Sequence, residues 1–209
     1  GVFRMVAPGQ WVWCGTPGRR LLALGVHNGS LLGAGNDHAD VESAIAQTAA
    51  GVVVPARSAE GGGGVFRYDG DQAWTSLGLQ PGTTQVYSIE TYGGEMYIGT
   101  WPHGLVFRHA EDGSWQSCGR LGDDTEVMNL IAFAGKLYAG SLPGARVYRF
   151  DGPERWPVVG TLDRTPDVLY RRAASMAVHR GELFVGTLPS GSVHSMRAGL
   201  AVSLGRALP

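Results

Sequence analysis

Cysteine is almost missing from this chain: there are two in 209 residues, Cys14 and Cys118. A disulfide-stapled scaffold is therefore excluded as the organising device. An excess of charge of either sign is also lacking, with 17 Lys and Arg against 18 Asp and Glu. That balance leaves no electrostatic footprint for a nucleic-acid partner. No run of ~18 apolar residues occurs, so no membrane-spanning helix is expected. Helical periodicity is confined to Asp40–Ala50. No group of His, Cys and carboxylate has zinc-ligand spacing. No G-x-S-x-G elbow or phosphate-binding loop appears, abundant glycine notwithstanding. The residues thus assign no catalytic group, no metal and no cofactor. The chain opens on Gly1 rather than Met and shows no secretory leader. It reads as a processed chain or an excised segment. An extracellular or cell-envelope setting is the expectation.

What is present is a repeat. Val65, Val106, Val147 and Val193 recur at spacings of 41, 41 and 46 residues. Gly78, Gly119, Gly160 and Gly205 recur at 41, 41 and 45. Trp74, Trp115 and Trp156 each stand four residues before that glycine, and Ala201 takes the place in the last copy. Val2, Trp11 and Gly15 mark a partial first copy that matches only the second half of the phrase. A period in the range of ~20–50 residues decides the architecture before any single residue does.

Each full copy holds four short runs rich in aromatic and β-branched residues. In the third copy they are Val86–Tyr92, Glu95–Thr100, Leu105–His109 and Trp115–Leu121. Gly93-Gly94, Asn28-Gly29, Ala134-Gly135 and Arg180-Gly181 read as tight hairpin turns. Asp69-Gly70 and Asp151-Gly152 mark a second hairpin. Four antiparallel strands in ~40–50 residues predict an all-β fold, a β-propeller of four-stranded blades. Parallel strands would need a crossover helix for which there is no room. The 209 residues then form one domain. Its blades are 1–18 (an outer half), 19–82 with an insertion at 35–63, 83–124, 125–167 and 168–209. A propeller must close its ring or leave a strand edge exposed. The expectation is a five-bladed ring closed by strands flanking this chain; the alternative is a segment of a larger ring or of an inter-chain assembly.

Phrases such as KLYAGSLPGARVYRFDG and ELFVGTLPSGSVHSM resemble the repeats of bacterial β-propellers in the broad kelch-like and sialidase-like group. The resemblance implies the architecture. Asp69, Gly70 and Trp74, with Asp151, Gly152 and Trp156, stand where sialidases carry an Asp-box, but the adjacent Asp-Gly departs from its spacing. The kelch double glycine and the Trp-Asp ending of WD repeats are not met. The resemblance does not place the catalytic residues of sialidases on this chain.

Aligning the copies sorts structure from candidate site. The tryptophans recur once per copy, so they are expected to pack between neighbouring sheets. Arg4, Arg67, Arg108 and Arg149 are equivalent third-strand positions. Cys14 and Cys118 share a place filled elsewhere by Leu77, Val159 and Leu204, so both are expected as free buried thiols. Positions that the repeat does not demand are the better guide. The loops between second and third strands share one face of a propeller with the loops between blades, around the channel mouth. Trp101, whose equivalents are Leu142 and Leu188, could pair with His103 for stacking and hydrogen bonding. Arg20, Gln85, Glu126 and Arg172 open the innermost strands beside the same mouth. The insertion, with Asn36, Asp37, His38 and Asp40, offers a lid or a partner arm.

The function expected is non-catalytic recognition of a glycan or protein through this face. The alternatives are a glycosidase-like or lyase-like enzyme, for which Glu126 and Glu90 are the inner-strand carboxylates, and an assembly module completed by another chain.

Overall fold

The structure, a computed structural model, describes residues 1–18, 20–36, 63–78, 80, 82–197 and 200–206. The expected helix at Asp40–Ala50 and the acidic residues Asp37 and Asp40 lie outside the described residues. Eighteen strands and no helix are found among those described. The first copy supplies β1 (Phe3–Ala7) and β2 (Gln10–Trp13), an antiparallel pair. The second supplies β3 (Arg20–His27), β4 (Ser30–Asn36), β5 (Gly64–Gly70) and β6 (Ala73–Ser76). The third supplies β7 (Gln85–Tyr92), β8 (Glu95–Trp101), β9 (Leu105–His109) and β10 (Trp115–Arg120). Next come β11 (Glu126–Phe133), β12 (Lys136–Leu142), β13 (Arg146–Arg149) and β14 (Val158–Thr161). The last copy gives β15 (Arg172–His179), β16 (Glu182–Leu188), β17 (Ser192–Arg197) and β18 (Leu200–Arg206).

The fourth and fifth copies each form a four-stranded antiparallel sheet in chain order. The second and third are joined into one eight-stranded sheet by a single pairing, Asn36 with Gln85. The hairpins between first and second strands turn as the sequence requires. Asn28, Ala134 and Arg180 take φ of 47°, 48° and 49°, and each is followed by a glycine with positive φ. Two successive positive φ values match the twist of the flanking strands. The expected turn at Asp69-Gly70 is displaced. Gly70 instead continues β5 past a bulge and pairs with Ala73, and Asp71 takes the turn at φ 48°. The bulge lengthens the strand by the residues that the dipeptide rule assigned to the turn.

Among the described residues the core is split, with three main clusters, each between consecutive copies. Val86, Ile98 and Phe107 of the third copy pack on Ala34 and Val65 of the second. Tyr97, Val106, Cys118 and Leu121 pack on Val127, Leu137, Ala139 and Trp156 of the fourth. Phe133, Tyr138 and Val147 pack on Ala173, Leu183, Val185 and Met196 of the fifth. The second strands β8 and β12 are thus covered on both faces, buried at every position after Glu95 and Lys136, whereas β16 alternates. Two glycines show how close the sheets come. A Cβ at Gly99 would overlap Val127 and lie 2.5 Å from Ser88 Oγ. One at Gly140 would stand 2.5 Å from the Ala173 carbonyl oxygen of the next copy.

The tryptophans serve this packing. Trp74 Nε1 donates to the Cys14 carbonyl at 2.6 Å, Trp115 Nε1 to that of Leu77 at 2.8 Å, and Trp156 Nε1 to that of Cys118 at 2.9 Å. Each indole reaches the residue just before the marker glycine of the preceding copy. Trp11 is 60 % exposed. The thiols of Cys14 and Cys118 are free and buried. The third-strand arginines are surface partners, Arg67 with Asp69, Arg108 with Glu95 and Arg149 with Asp151.

Candidate functional site

The register places the start of each first strand opposite the end of its second strand. Arg20 faces Asn36, Gln85 faces Trp101, Glu126 faces Leu142 and Arg172 faces Leu188. These ends gather with the connecting loops on one side of the molecule. Backbone bonds tie them there: Thr84 N to Trp101 O at 3.0 Å, Thr125 N to Leu142 O at 2.9 Å and Gly104 N to Thr125 O at 2.8 Å. A pocket of about 320 Å³ opens among them. Trp101, Met128, Leu142, Pro143 and Leu169 wall it, and Tyr87, Glu126, Tyr170 and Arg172 bring the polar groups.

Asp124 holds the Leu142–Pro143 wall in place. Its buried carboxylate accepts from Ser141 Oγ at 2.6 Å, Tyr148 OH at 2.8 Å and the Gly144 amide at 2.9 Å. Asp163 acts likewise one copy on, accepting from Thr165 Oγ1 at 2.6 Å and the Ser190 amide at 3.0 Å. Burial opposes ionisation of Asp163, yet these bonds outweigh it and hold the carboxyl at about 2.

Glu126 is in the opposite condition. Burial pushes its carboxyl up to about 7, against the pull of the Arg172 and Arg20 guanidinium groups. A neutral form is favoured where water cannot solvate the charge. Burial likewise raises the Tyr87 hydroxyl, with Glu126 adding to the shift and the same two arginines opposing it. The mouth thus forms one electrostatic unit of Arg20, Tyr87, Glu126 and Arg172. Arg172 also lies over the Tyr170 ring, its Cζ 5.8 Å from the centroid.

The residues singled out in the sequence divide accordingly. Trp101, Glu126 and Arg172 line the pocket, and Arg20 acts on it electrostatically. Trp101 is only 3 % exposed and packs on Tyr87, so it is a wall rather than an open platform. His103 is not among the lining residues. It sits by Gly82, and burial, with Arg120, lowers its pKa. The expected Trp101–His103 pair is therefore not assembled in this pocket, because the chain turns through Pro102 between them. Gln85 is fully buried, and so is its strand partner Asn36. Both amides lack hydrogen-bond partners among the described residues. Glu90, half-buried and raised by that burial, is not in the lining either.

Tyr87 and Asp124 were missed. Tyr87 carried a usable signal, since its equivalents are Leu22, Met128 and Ala174. Asp124 carried none, because its side-chain acceptors' partners lie 17 to 24 residues away.

A second recess of about 350 Å³ lies between the second and third copies. Its polar groups are largely committed: His27 Nδ1 to Thr91 Oγ1 at 3.0 Å, Arg67 to Asp69, Glu95 to Arg108, and His109 against the Trp115 ring. No group of three or more possible metal ligands occurs among the described residues.

The sequence matches no protein-family model and no curated protein. Solved structures do match. A streptogramin B lyase superimposes with a TM-score of 0.66 at 10 % identity, over 96 % of this chain and 59 % of that one. The fold is a β-propeller. A virginiamycin B lyase from Staphylococcus aureus matches with a TM-score of 0.64 at 10 % identity, over 93 % of this chain and 58 % of its own. An auxiliary nutrient binding protein from Bacteroides thetaiotaomicron matches with 0.60 at 11 %, over 92 % and 49 %. This chain therefore spans about half to three fifths of the length of these propellers. They carry the fold and, at such identities, nothing of the chemistry.

Proposed function

We propose that this chain is the recognition part of a β-propeller whose channel mouth takes the end group of a ligand. The observation that carries it is the pocket itself. Apolar walls from Trp101, Met128, Leu142 and Leu169 surround a buried Glu126 and an Arg172. That composition, apolar walls with few convergent polar groups, is the usual make-up of small-ligand sites, and its size is at their lower end. The pocket fits one ring or one short side chain. This favours the terminus of a glycan or peptide, or a free small molecule, over a flat protein surface. The proposal includes the reading of each copy as a blade, with repeats 19–82, 83–124, 125–167 and 168–209 and a half blade at 1–18. It also keeps the likeness of the repeats to kelch-like and sialidase-like propellers. A glycan array and a thermal-shift panel of small molecules, run on the native chain and on Trp101→Ala, test it. Binders should be lost with Trp101. Binding of equal strength in both proteins sinks the assignment.

One observation favours a second reading. A carboxyl held near neutrality in a pocket is suited to take or give a proton. Lyases stand among the similar propellers. Glu90 stays outside the lining, so a glycosidase-type carboxylate pair is not what the pocket offers. Turnover of any bound compound that disappears in Glu126→Gln, with binding retained, would make the site catalytic.

A further inference from the structure

We propose that the channel mouth is a receptor for an organic anion, a carboxylate on an apolar or ring-bearing body, and that it takes up a proton as the anion binds. The inference rests on the pocket being a ligand site and names the class of ligand. Its basis is a pair of arginines that form no ion pair among the described residues. Arg172 lines the pocket, and the exposed Arg20 acts electrostatically on the same carboxyl. Among the described residues, neither guanidinium makes a hydrogen bond or ion pair. Arg67, Arg108, Arg146, Arg149 and Arg197, in contrast, all hold carboxylates within 4 Å. Among the described residues, two guanidinium groups against one carboxyl leave the mouth with net positive charge. A guanidinium fork matches a carboxylate in shape as well as charge. Trp101, Met128 and Leu142 then cover whatever body carries that carboxylate.

Glu126 sets the proton step. A ligand carboxylate entering the pocket stands beside the buried Glu126 carboxyl. Two adjacent anions there cannot both stay charged cheaply. The balance is one proton from bulk solvent onto Glu126, while the ligand keeps its charge against the arginines. Burial already holds the Glu126 carboxyl at about 7. The groups acting on it are Tyr87 from β7, Arg20 from β3 and Arg172 from β15; β8, β9 and β12 bring no charge to bear. Binding is then strongest between the ligand's own pKa, about 4 for a carboxylic acid, and about 7, and weakens as pH rises further.

The probes are phenylacetate and a glucuronate-terminated disaccharide, each beside its neutral counterpart, phenylacetamide and the glucose-terminated disaccharide. Titration calorimetry in Tris and in imidazole, whose ionisation enthalpies differ, counts the protons. An acid should bind about tenfold or more tightly than its neutral counterpart, with roughly one proton taken up above neutrality and little near pH 5.5. Which acid binds tells a free metabolite from a glycan end. Arg172→Gln should weaken the acid by about ten- to a hundredfold. Glu126→Gln, isosteric and expected to fold, should keep acid binding and lose the proton uptake. Equal binding of acid and neutral probe, both lost in Trp101→Ala, overturns the anion and spares the pocket. Acid binding without proton uptake overturns the coupling. Failure of all four probes at millimolar concentration in the folded native chain overturns the receptor itself.

Discussion

Replacing Asp124 by alanine removes the acceptor shared by three donors. Two of them lose their partner outright: the Tyr148 hydroxyl, on a residue 1 % exposed, and the Gly144 amide. The Ser141 hydroxyl can turn to the Arg146 carbonyl at 3.2 Å. Arg146 Nη1, 3.4 Å from the carboxylate, also loses its counter-charge, but it is partly exposed and counts for little. An orphaned buried donor costs about 1–3 kcal/mol. Tyr148 carries that cost in full and the half-buried Gly144 amide part of it, which predicts a loss of about 2–5 kcal/mol, a large share of a typical ~5–15 kcal/mol. At roughly 2–4 °C per kcal/mol for a chain this long, the melting temperature should fall by roughly 5–20 °C. The assay is urea unfolding followed by tryptophan fluorescence. A second substitution sharpens it. Tyr148→Phe in the Asp124→Ala background removes one orphan and should recover part of the loss, a coupling visible in a double-mutant cycle. A loss under about 1 kcal/mol, or strictly additive effects, would refute the claim that this carboxylate is what holds the wall.

Two further outcomes follow from the same geometry. Trp156→Ala should cost about 3–5 kcal/mol, because the ring is buried and its indole donates to the preceding copy, whereas Trp11→Ala at a 60 % exposed site should cost under about 1 kcal/mol; comparable losses in urea unfolding would dismiss the packing role. Asp163 has a folded pKa of about 2, below its unfolded value of about 3.8. Its contribution is therefore complete above pH ~4 and fades as pH falls toward 2. The acid limb of melting temperature against pH should flatten in Asp163→Asn, and an unchanged limb contradicts the assignment.

Much of the fold was legible in the sequence, because a repeat states each local preference several times. The strands of the third copy were expected to within one residue, and the inner strands begin at Arg20, Gln85, Glu126 and Arg172 as expected. The turn at Asp69-Gly70 was misplaced, since a bulge leaves no signature in a dipeptide. The site was legible as positions but not as an environment. Departure from the repeat pointed to Trp101, yet its burial against Tyr87 depends on a contact between strands. The same rule applied to Tyr87 would have found it. The separation of His103 from Trp101 follows from side-chain direction around a proline, which spacing does not encode. That Glu126 is held near neutrality depends on how much water reaches it, a property of the assembled loops.

The indole bonds all run one way. Trp74, Trp115 and Trp156 each reach back, by 38 residues in two cases and 60 in the third, to a carbonyl in the copy before. During synthesis the acceptor has thus always been made before its donor, and each new copy leaves the ribosome to meet a docking surface that already exists. Along these indole bonds assembly has a direction, although Asp124 and Asp163 wait for donors in the copy that follows. The last copy carries Ala201 at this place and docks without an indole, by its apolar face and by bonds such as Ser190 N to Asp163.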